Sequence, residues 1–535
     1  MNLRQRCQKV AQTTRQWGFL SVRALAQAIN LSKSSVHRLS QKIKHRQNYP
    51  ESEFWETPEG YQWLRLLVFA TIYIFGIKHG VGSEALSEFF HLLRLRSQIG
   101  ISPTALRRLE VQMRSQILAY GEQQHQEVKL TNSKLEIVAG ADETFFPGMN
   151  GIVLVLMDLV SGYIILEKKT SNRKYQTWFD QLQTALSNMG QQVSIKSLVS
   201  DRAKALIQLA VKGLGCESIP DLFHAMRCLS RSIGARLGGQ LARTKKKLQK
   251  TQGEITKRHL AKKPISSQLS QRLSWLQQQY QLIKSGLETY RSYLHQISAL
   301  VHPFAVEDSK KMTGTNVAKM MRELLPPLAA LGQTYQLQSI EKALEQFSSQ
   351  IVAISAGIDL WWQGVEQSLV WEEVDTLTQN WLMTFLLPEV YWFSLVSKTK
   401  KPALKQIYQK AWRQAHQQLL THPLTGSLKK KEIDRWRNWS TLMVSKFQRT
   451  TSAIEGRNGY LSRLHHSGRG LSEKDLQVLT IIHNYDLHRA DGSTAAQRFF
   501  DRTFPPLFSW VLAQMGDLPA SRKPRKLRNV NAMVA

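Results

Sequence analysis

Strand texture in this chain is confined to residues 135–224, and nothing constrains its fold more. Leu135–Ala141 reads as a first strand and Ile152–Asp158 as a second. A Ser161-Gly162 turn signal leads into a third, Tyr163–Glu167. Tyr175–Met189 is an amphipathic helix, with Trp178, Leu182 and Leu186 spaced by four. Val193–Ser200 is a fourth strand, Ala203–Lys212 a helix and Ser218–His224 a short fifth strand. From about 225 to 440 no strand run occurs, and the stretch is helical and rich in Gln, Lys and Trp. One small sheet must therefore sit inside an otherwise helical, multidomain α+β chain of 535 residues.

The N-terminal flank carries its own pattern. Residues 1–46 read as three short helices. Within Leu20–Leu39, Ala26 is small where two helices must touch, and Asn30 tolerates a left-handed turn. Ser32 is an N-cap, and Val36 packs the second helix onto the first. This is a helix-turn-helix pattern that leaves Lys33, Ser34, Ser35, His37 and Arg38 facing outward, as a recognition helix does in the major groove; a plain helical hairpin is the competing reading. Residues 47–60, with Pro50 and Pro58, look like a linker. Residues 61–130 return to helices, with Ser102-Pro103 as a helix start, and form either a second DNA-binding module or an ordinary bundle.

Charge narrows the partners. The net charge is +32, so the chain attracts polyanions, nucleic acid first. Residues 243–263 hold nine basic side chains (Arg243, Lys245, Lys246, Lys247, Lys250, Lys257, Arg258, Lys262, Lys263) and one acid, Glu254. They make either a binding face or a solvated one. Five of the seven residues Arg522–Arg528 are basic as well. The longest uncharged apolar run, Leu66–Ile77, is 12 residues, short of the ~20 a membrane span needs. It reads as a buried helix. Three scattered cysteines, Cys7, Cys216 and Cys228, fit reduced intracellular thiols and give no zinc spacing.

Three acids stand out. Asp142 follows the first strand, Asp201 follows the fourth, and Glu455 lies on a helical segment far downstream. Two aspartates at strand ends and a glutamate on a helix can hold two Mg²⁺ ions for in-line phosphodiester chemistry. Gly140-Ala141-Asp142-Glu143-Thr144-Phe145-Phe146, Asp158-Leu159-Val160-Ser161-Gly162, Leu198-Val199-Ser200-Asp201-Arg202-Ala203 and Ala453-Ile454-Glu455-Gly456-Arg457-Asn458, with Asn484–Ala496 after it, carry a resemblance. Together they resemble a DDE transposase of a prokaryotic insertion sequence. The strand order resembles a ribonuclease-H-like core, in which the first and fourth strands lie side by side. Asp201 follows Asp142 by 59 residues (201 − 142) and Glu455 follows Asp201 by 254 (455 − 201). The long second gap is similar to the all-helical insertion of the hAT superfamily, and Phe223–Leu229 to that group's histidine-containing segment. No Tyr-Arg-Glu-Lys signature surrounds Glu455, since Thr451 and Ser462 stand where it needs Arg and Lys.

The resemblance implies six segments: a helix-turn-helix (1–46), a linker and helical domain (47–134), the first part of the catalytic core (135–230), an all-α insertion (231–440), the last part of the core (441–515) and a basic tail (516–535). It implies Asp142, Asp201 and Glu455 as catalytic metal ligands for two Mg²⁺, with Mn²⁺ able to substitute. Asp142 would bridge both ions. Glu143 would point to the opposite face of its strand, and Asp158 would stabilise its turn. His224 would be an auxiliary group at the phosphate, or a core histidine. Arg457 and Asn458 would grip DNA, or serve only the surface. The expected partner is double-stranded DNA, at element ends and target, bound by a homodimer or higher oligomer with no membrane. The expected location is the cytoplasm, at the nucleoid. A structure-specific nuclease on the same fold, and a non-catalytic DNA-binding regulator, are the alternatives.

Overall fold

The computed structural model describes every residue except 1–2, 19, 49–53, 56, 130–133, 147–150, 190–191, 339, 468–469 and 521–535. Pro50 and the basic run Arg522–Arg528 thus lie outside the described residues. The protein is mixed α+β, mostly helical, with a single mixed sheet of five strands among the described residues. It divides into two compact units, Met1–Thr131 with Gly459–Ala535, and Asn132–Asn458. The division passes between Asn458 and Gly459, inside the Ser452–His466 helix, so the expected 441–515 segment is shared between the units.

The first unit is helical. It opens with α1 (Leu3–Trp17), α2 (Val22–Ile29) and α3 (Lys33–Asn48). These close around Cys7, Val10, Leu25, Ala26, Ile29, Val36 and Leu39, because apolar residues fall on one stripe of each helix. The Ser21 hydroxyl caps α2 by accepting from the Ala24 N–H at 3.2 Å, and Ser32 caps α3 by accepting from Ser35 at 3.2 Å. Between them Asn30 takes φ +54°, a left-handed conformation that asparagine tolerates better than most residues. Lys33, Ser34, His37 and Arg38 are exposed and Ser35 is half-buried.

Pro58–Thr71 starts at a Thr57 cap with proline in its first turn, and continues as a π-helical turn, Ile72–Lys78. It packs on the long helix Pro103–Lys129, as do Ser83–Leu92, Glu473–Asp486 and Leu507–Gln514. On length and composition Pro58–Lys78 could cross a bilayer, but half of it is buried within the unit. Its ends are tied by polar contacts. Lys78 pairs with Asp486 at 2.7 Å, and the Arg65 guanidinium donates to the carbonyls of Leu512 and Met515.

The second unit holds the sheet, β1 (Lys134–Phe145), β2 (Ile152–Asp158), β3 (Ile164–Thr170), β4 (Gln192–Ser200) and β5 (Glu217–Pro220). Its order is β3-β2-β1-β4-β5. β1 and β2, and β2 and β3, pair antiparallel, whereas β1 with β4, and β4 with β5, pair parallel. The crossover to β4 runs through the helix Tyr175–Met189, whose buried Trp178 and Leu182 cover one face. β5 ends earlier than its sequence suggests. Asp221 accepts from the His224 N–H at 2.9 Å and caps the helix Leu222–Leu229, so the chain turns helical where a strand through His224 was expected.

From Leu222 to Lys446 the second unit is helical, around a core that includes Trp361, Trp362, Trp381, Trp392, Trp436 and Trp439. Buried indole N–H groups usually find partners. Here Trp361 donates to the Met443 carbonyl at 2.8 Å and Trp392 to the Ser309 hydroxyl at 3.1 Å. Trp275 and Trp371 stay exposed.

Candidate active site

Asp142 sits near the end of β1, where β1 and β4 run parallel with Gly140 opposite Val199. β4 ends at Ser200, so the chain leaves the sheet at Asp201 beside the Asp142 end of β1. It does so through Arg202, which takes φ +61°, and Asp201 Oδ1 accepts from the Ala203 N–H at 2.9 Å. Asp201 is exposed and Asp142 half-buried.

Glu455 lies in the first turn of Ser452–His466, donating its N–H to the Thr451 carbonyl at 3.0 Å. Ile454 presses that turn onto β1. A Cβ on Gly140 would lie 2.9 Å from Ile454 Cδ1 and 2.7 Å from Leu159 Cδ2, so any side chain here would push both neighbours aside. One turn after Glu455, Asn458 Nδ2 donates to Asp142 Oδ2 at 2.8 Å. The Glu143 N–H donates to the other oxygen, Asp142 Oδ1, at 2.8 Å.

The electrostatics follow from this convergence. Burial, reinforced by the nearby Asp201 and Glu455 carboxylates, pushes Asp142 up to about 6, against the Glu143 N–H and His224, which pull it down. His224 is raised, first by Asp221, then by Asp142 and Glu455. Its Nδ1 stands 3.5 Å from Asp221 Oδ1.

Asp221 is the residue that sequence reasoning passed over. It is 1% exposed. Its Oδ2 accepts from the Thr451 N–H at 2.5 Å and from the Thr451 hydroxyl at 2.6 Å. Its own N–H donates to the Ser200 carbonyl at 2.7 Å. One residue thus ties the end of β4, the His224 helix and the residue that starts the Glu455 helix. Burial pushes Asp221 up, but the bonds from His224 and Thr451 outweigh it and leave the acid below the usual carboxylate range. The only signal in the sequence was the cap position three residues before His224.

Two neighbours have plain structural roles. Glu143, on the opposite face from Asp142, accepts from Trp178 Nε1 at 3.2 Å and pairs with Arg173 at 2.8 Å. Asp158 accepts from the Ser161 N–H at 2.8 Å and from its hydroxyl at 2.5 Å, which closes the turn before β3. Arg457 is buried: its guanidinium forks onto Glu167 of β3 at 2.8 and 2.6 Å, so it holds the helix to the sheet. Asn458 likewise spends its amide on Asp142 and not on a surface.

Among the described residues no three histidine, cysteine or acidic side chains close around one point as ligands of a single ion do. The Asp201 and Glu455 carboxylates nevertheless lie near enough to Asp142 to act on its charge. Beside them Asn458 Oδ1 and His224 Nδ1 are buried without a hydrogen bond. Hard oxygen donors beside unmet buried polar atoms are the kind of set a hydrated divalent cation takes.

Residues 382–527, about a quarter of the chain, match DUF6399, a family of unknown function. That span includes Glu455 and Asn458 but neither Asp142 nor Asp201. No curated protein matches the chain.

Proposed function

We propose that this chain is a DDE-type DNA transposase that cuts element ends and joins them to target DNA. The observation that carries the reading is that Asp201, just past the end of β4, and Glu455, on a helix 254 residues downstream (455 − 201), lie close enough to Asp142 of β1 to act on its charge, all three within one unit. The sheet order supports a ribonuclease-H-like core: three antiparallel strands, then two parallel ones, with the first and fourth adjacent. The helical stretch between β5 and the Glu455 helix has the place of an insertion. The capped α2–α3 turn at Asn30, with Lys33, Ser34, Ser35, His37 and Arg38 on the second helix, supports a helix-turn-helix reader of DNA.

In this reading Asp142, Asp201 and Glu455 hold two Mg²⁺ ions, which would supply activation of the attacking oxygen and stabilisation of the leaving one. Asn458 and the Glu143 N–H fix the orientation of Asp142. Asp221 and Thr451 set the start of the helix that presents Glu455. His224, whose pKa Asp221 raises, would favour positive charge beside the acids, where a phosphate would enter. Asp142→Asn, Asp201→Asn and Glu455→Gln are each expected to abolish Mg²⁺-dependent cleavage of a labelled duplex taken from the flanks of the gene, and to leave binding of that duplex intact. Full cleavage by any of the three would remove that residue from the site.

A further inference from the structure

The helix that begins at Asp221 does not stop at the acidic cluster. Leu222–Leu229 passes through a π-helical turn, Ser230–Gly234, into Ala235–Leu260, and Ser267–Leu300 returns alongside it. Leu241, Thr244, Leu248, Thr251 and Ile255 alternate in steps of three and four and are the less exposed side of the outgoing helix. Leu269, Leu273, Leu276, Tyr280 and Ile283 do the same on the returning one, so the pair is held as a coiled coil is. The nine basic side chains between Arg243 and Lys263 are all exposed, and among the described residues none of them forms an ion pair. They contribute nothing to the seam. With Glu254 as their only acid, they cost self-repulsion and leave a strip of unneutralised charge. Trp275, on the returning helix, is 57% exposed at the same end.

We infer that this hairpin is an arm that binds the backbone of duplex DNA outside the acidic site, without reading its sequence. Distance supports the assignment. From His224 to Arg243 is 19 residues (243 − 224), about 29 Å of helix, and Arg258 is about 51 Å away. A duplex with one phosphate near the cluster therefore reaches the basic strip roughly one helical turn (~34 Å) further on. The phosphate chemistry stands on the hairpin itself; naming DNA as its source rests on the transposase reading.

The test replaces Lys245, Lys246, Lys247 and Lys250 by Gln in the full chain, since glutamine keeps helix propensity. Binding to a random-sequence duplex of about 40 base pairs is measured across salt concentrations, enough for the slope to report phosphate contacts. The slope of log affinity against log salt is expected to drop by about 3–4, at roughly 0.9 per lost phosphate contact. Two comparators fix the meaning. Lys400, Lys401, Lys405 and Lys410 changed to Gln remove the same charge elsewhere and are expected to keep the wild-type slope; an equal drop there would overturn the arm. Asp142→Asn is expected to bind like wild type, so a chain that cuts nothing still tests the arm. An unchanged slope in the hairpin variant makes the strip a solvated face. An equal hairpin-dependent loss on duplex RNA overturns the choice of DNA.

Discussion

Replacing Asp142 by Asn should stabilise the protein at neutral pH while removing its activity. In an unfolded chain an aspartate releases its proton near pH ~3.9. Burial and the neighbouring acids hold the folded carboxyl to about 6. Between those values the folded state binds more protons than the unfolded one, so stability falls as pH rises through the window and the cost is complete above it. The full shift corresponds to about 3 kcal/mol at ~1.4 kcal/mol per pH unit. Partial exposure of Asp142 reduces that to about 1–3 kcal/mol. The substitution also keeps the local bonds. The carbonyl oxygen of the introduced amide can still accept from the Glu143 N–H, and an Asn458 amide turned over would offer its unmet Oδ1 to the new NH₂. Over the second unit, residues 132–458, at ~2.1 cal/mol/K per residue, the gain appears as about 2–4 °C in Tm. Thermal melts from about pH 4 to 8.5 span the window between the unfolded and folded values. They would show the variant above wild type at the alkaline end and level with it at the acid end. Added Mg²⁺ should narrow the gap by stabilising wild type alone. A variant that melts below wild type across the whole range would refute the claim that this carboxylate is an uncompensated cost.

Other substitutions probe the frame around the site. Asp221→Ala strands the Thr451 N–H and hydroxyl and should cost about 3–5 kcal/mol, read by urea unfolding; Asp221→Asn keeps an acceptor and should cost less than half as much. Acid should mimic this loss, because a carboxyl held low in the folded chain stabilises above its unfolded value of about 4 and loses that contribution as pH falls through its folded value. Arg457→Met removes the guanidinium that forks onto the buried Glu167, for a loss of about 3–5 kcal/mol with no change in the salt slope of DNA binding. Gly140→Ala forces Ile454 and Leu159 aside and should cost about 1–3 kcal/mol; a melt equal to wild type would mean the Glu455 helix is not held as tightly as the contacts indicate.

Local features were legible before any coordinates. The five strand segments and the Tyr175–Met189 helix follow from apolar periodicity, and the Asn30 turn and Ser32 cap follow from side chains acting within four residues of themselves. The Asp158 turn and the opposed faces of Asp142 and Glu143 follow for the same reason, since strand alternation and short side-chain bonds are encoded in neighbours. The fifth strand reads too long in the sequence because Asp221 ends a strand and caps a helix at once.

What only the tertiary structure decided depends on partners far apart in the chain. Asp221 meets Thr451 across 230 residues and Arg457 meets Glu167 across 290. No periodicity marks either contact, because a buried carboxylate or guanidinium is defined by whichever group folds against it. The same holds for Gly140, whose missing side chain matters only because Ile454 arrives there, and for the division of the chain between Asn458 and Gly459. Sequence alone named the acids and the elements that carry them; long-range packing determined which charges are met, which are left crowded, and which basic side chains remain free to meet something else.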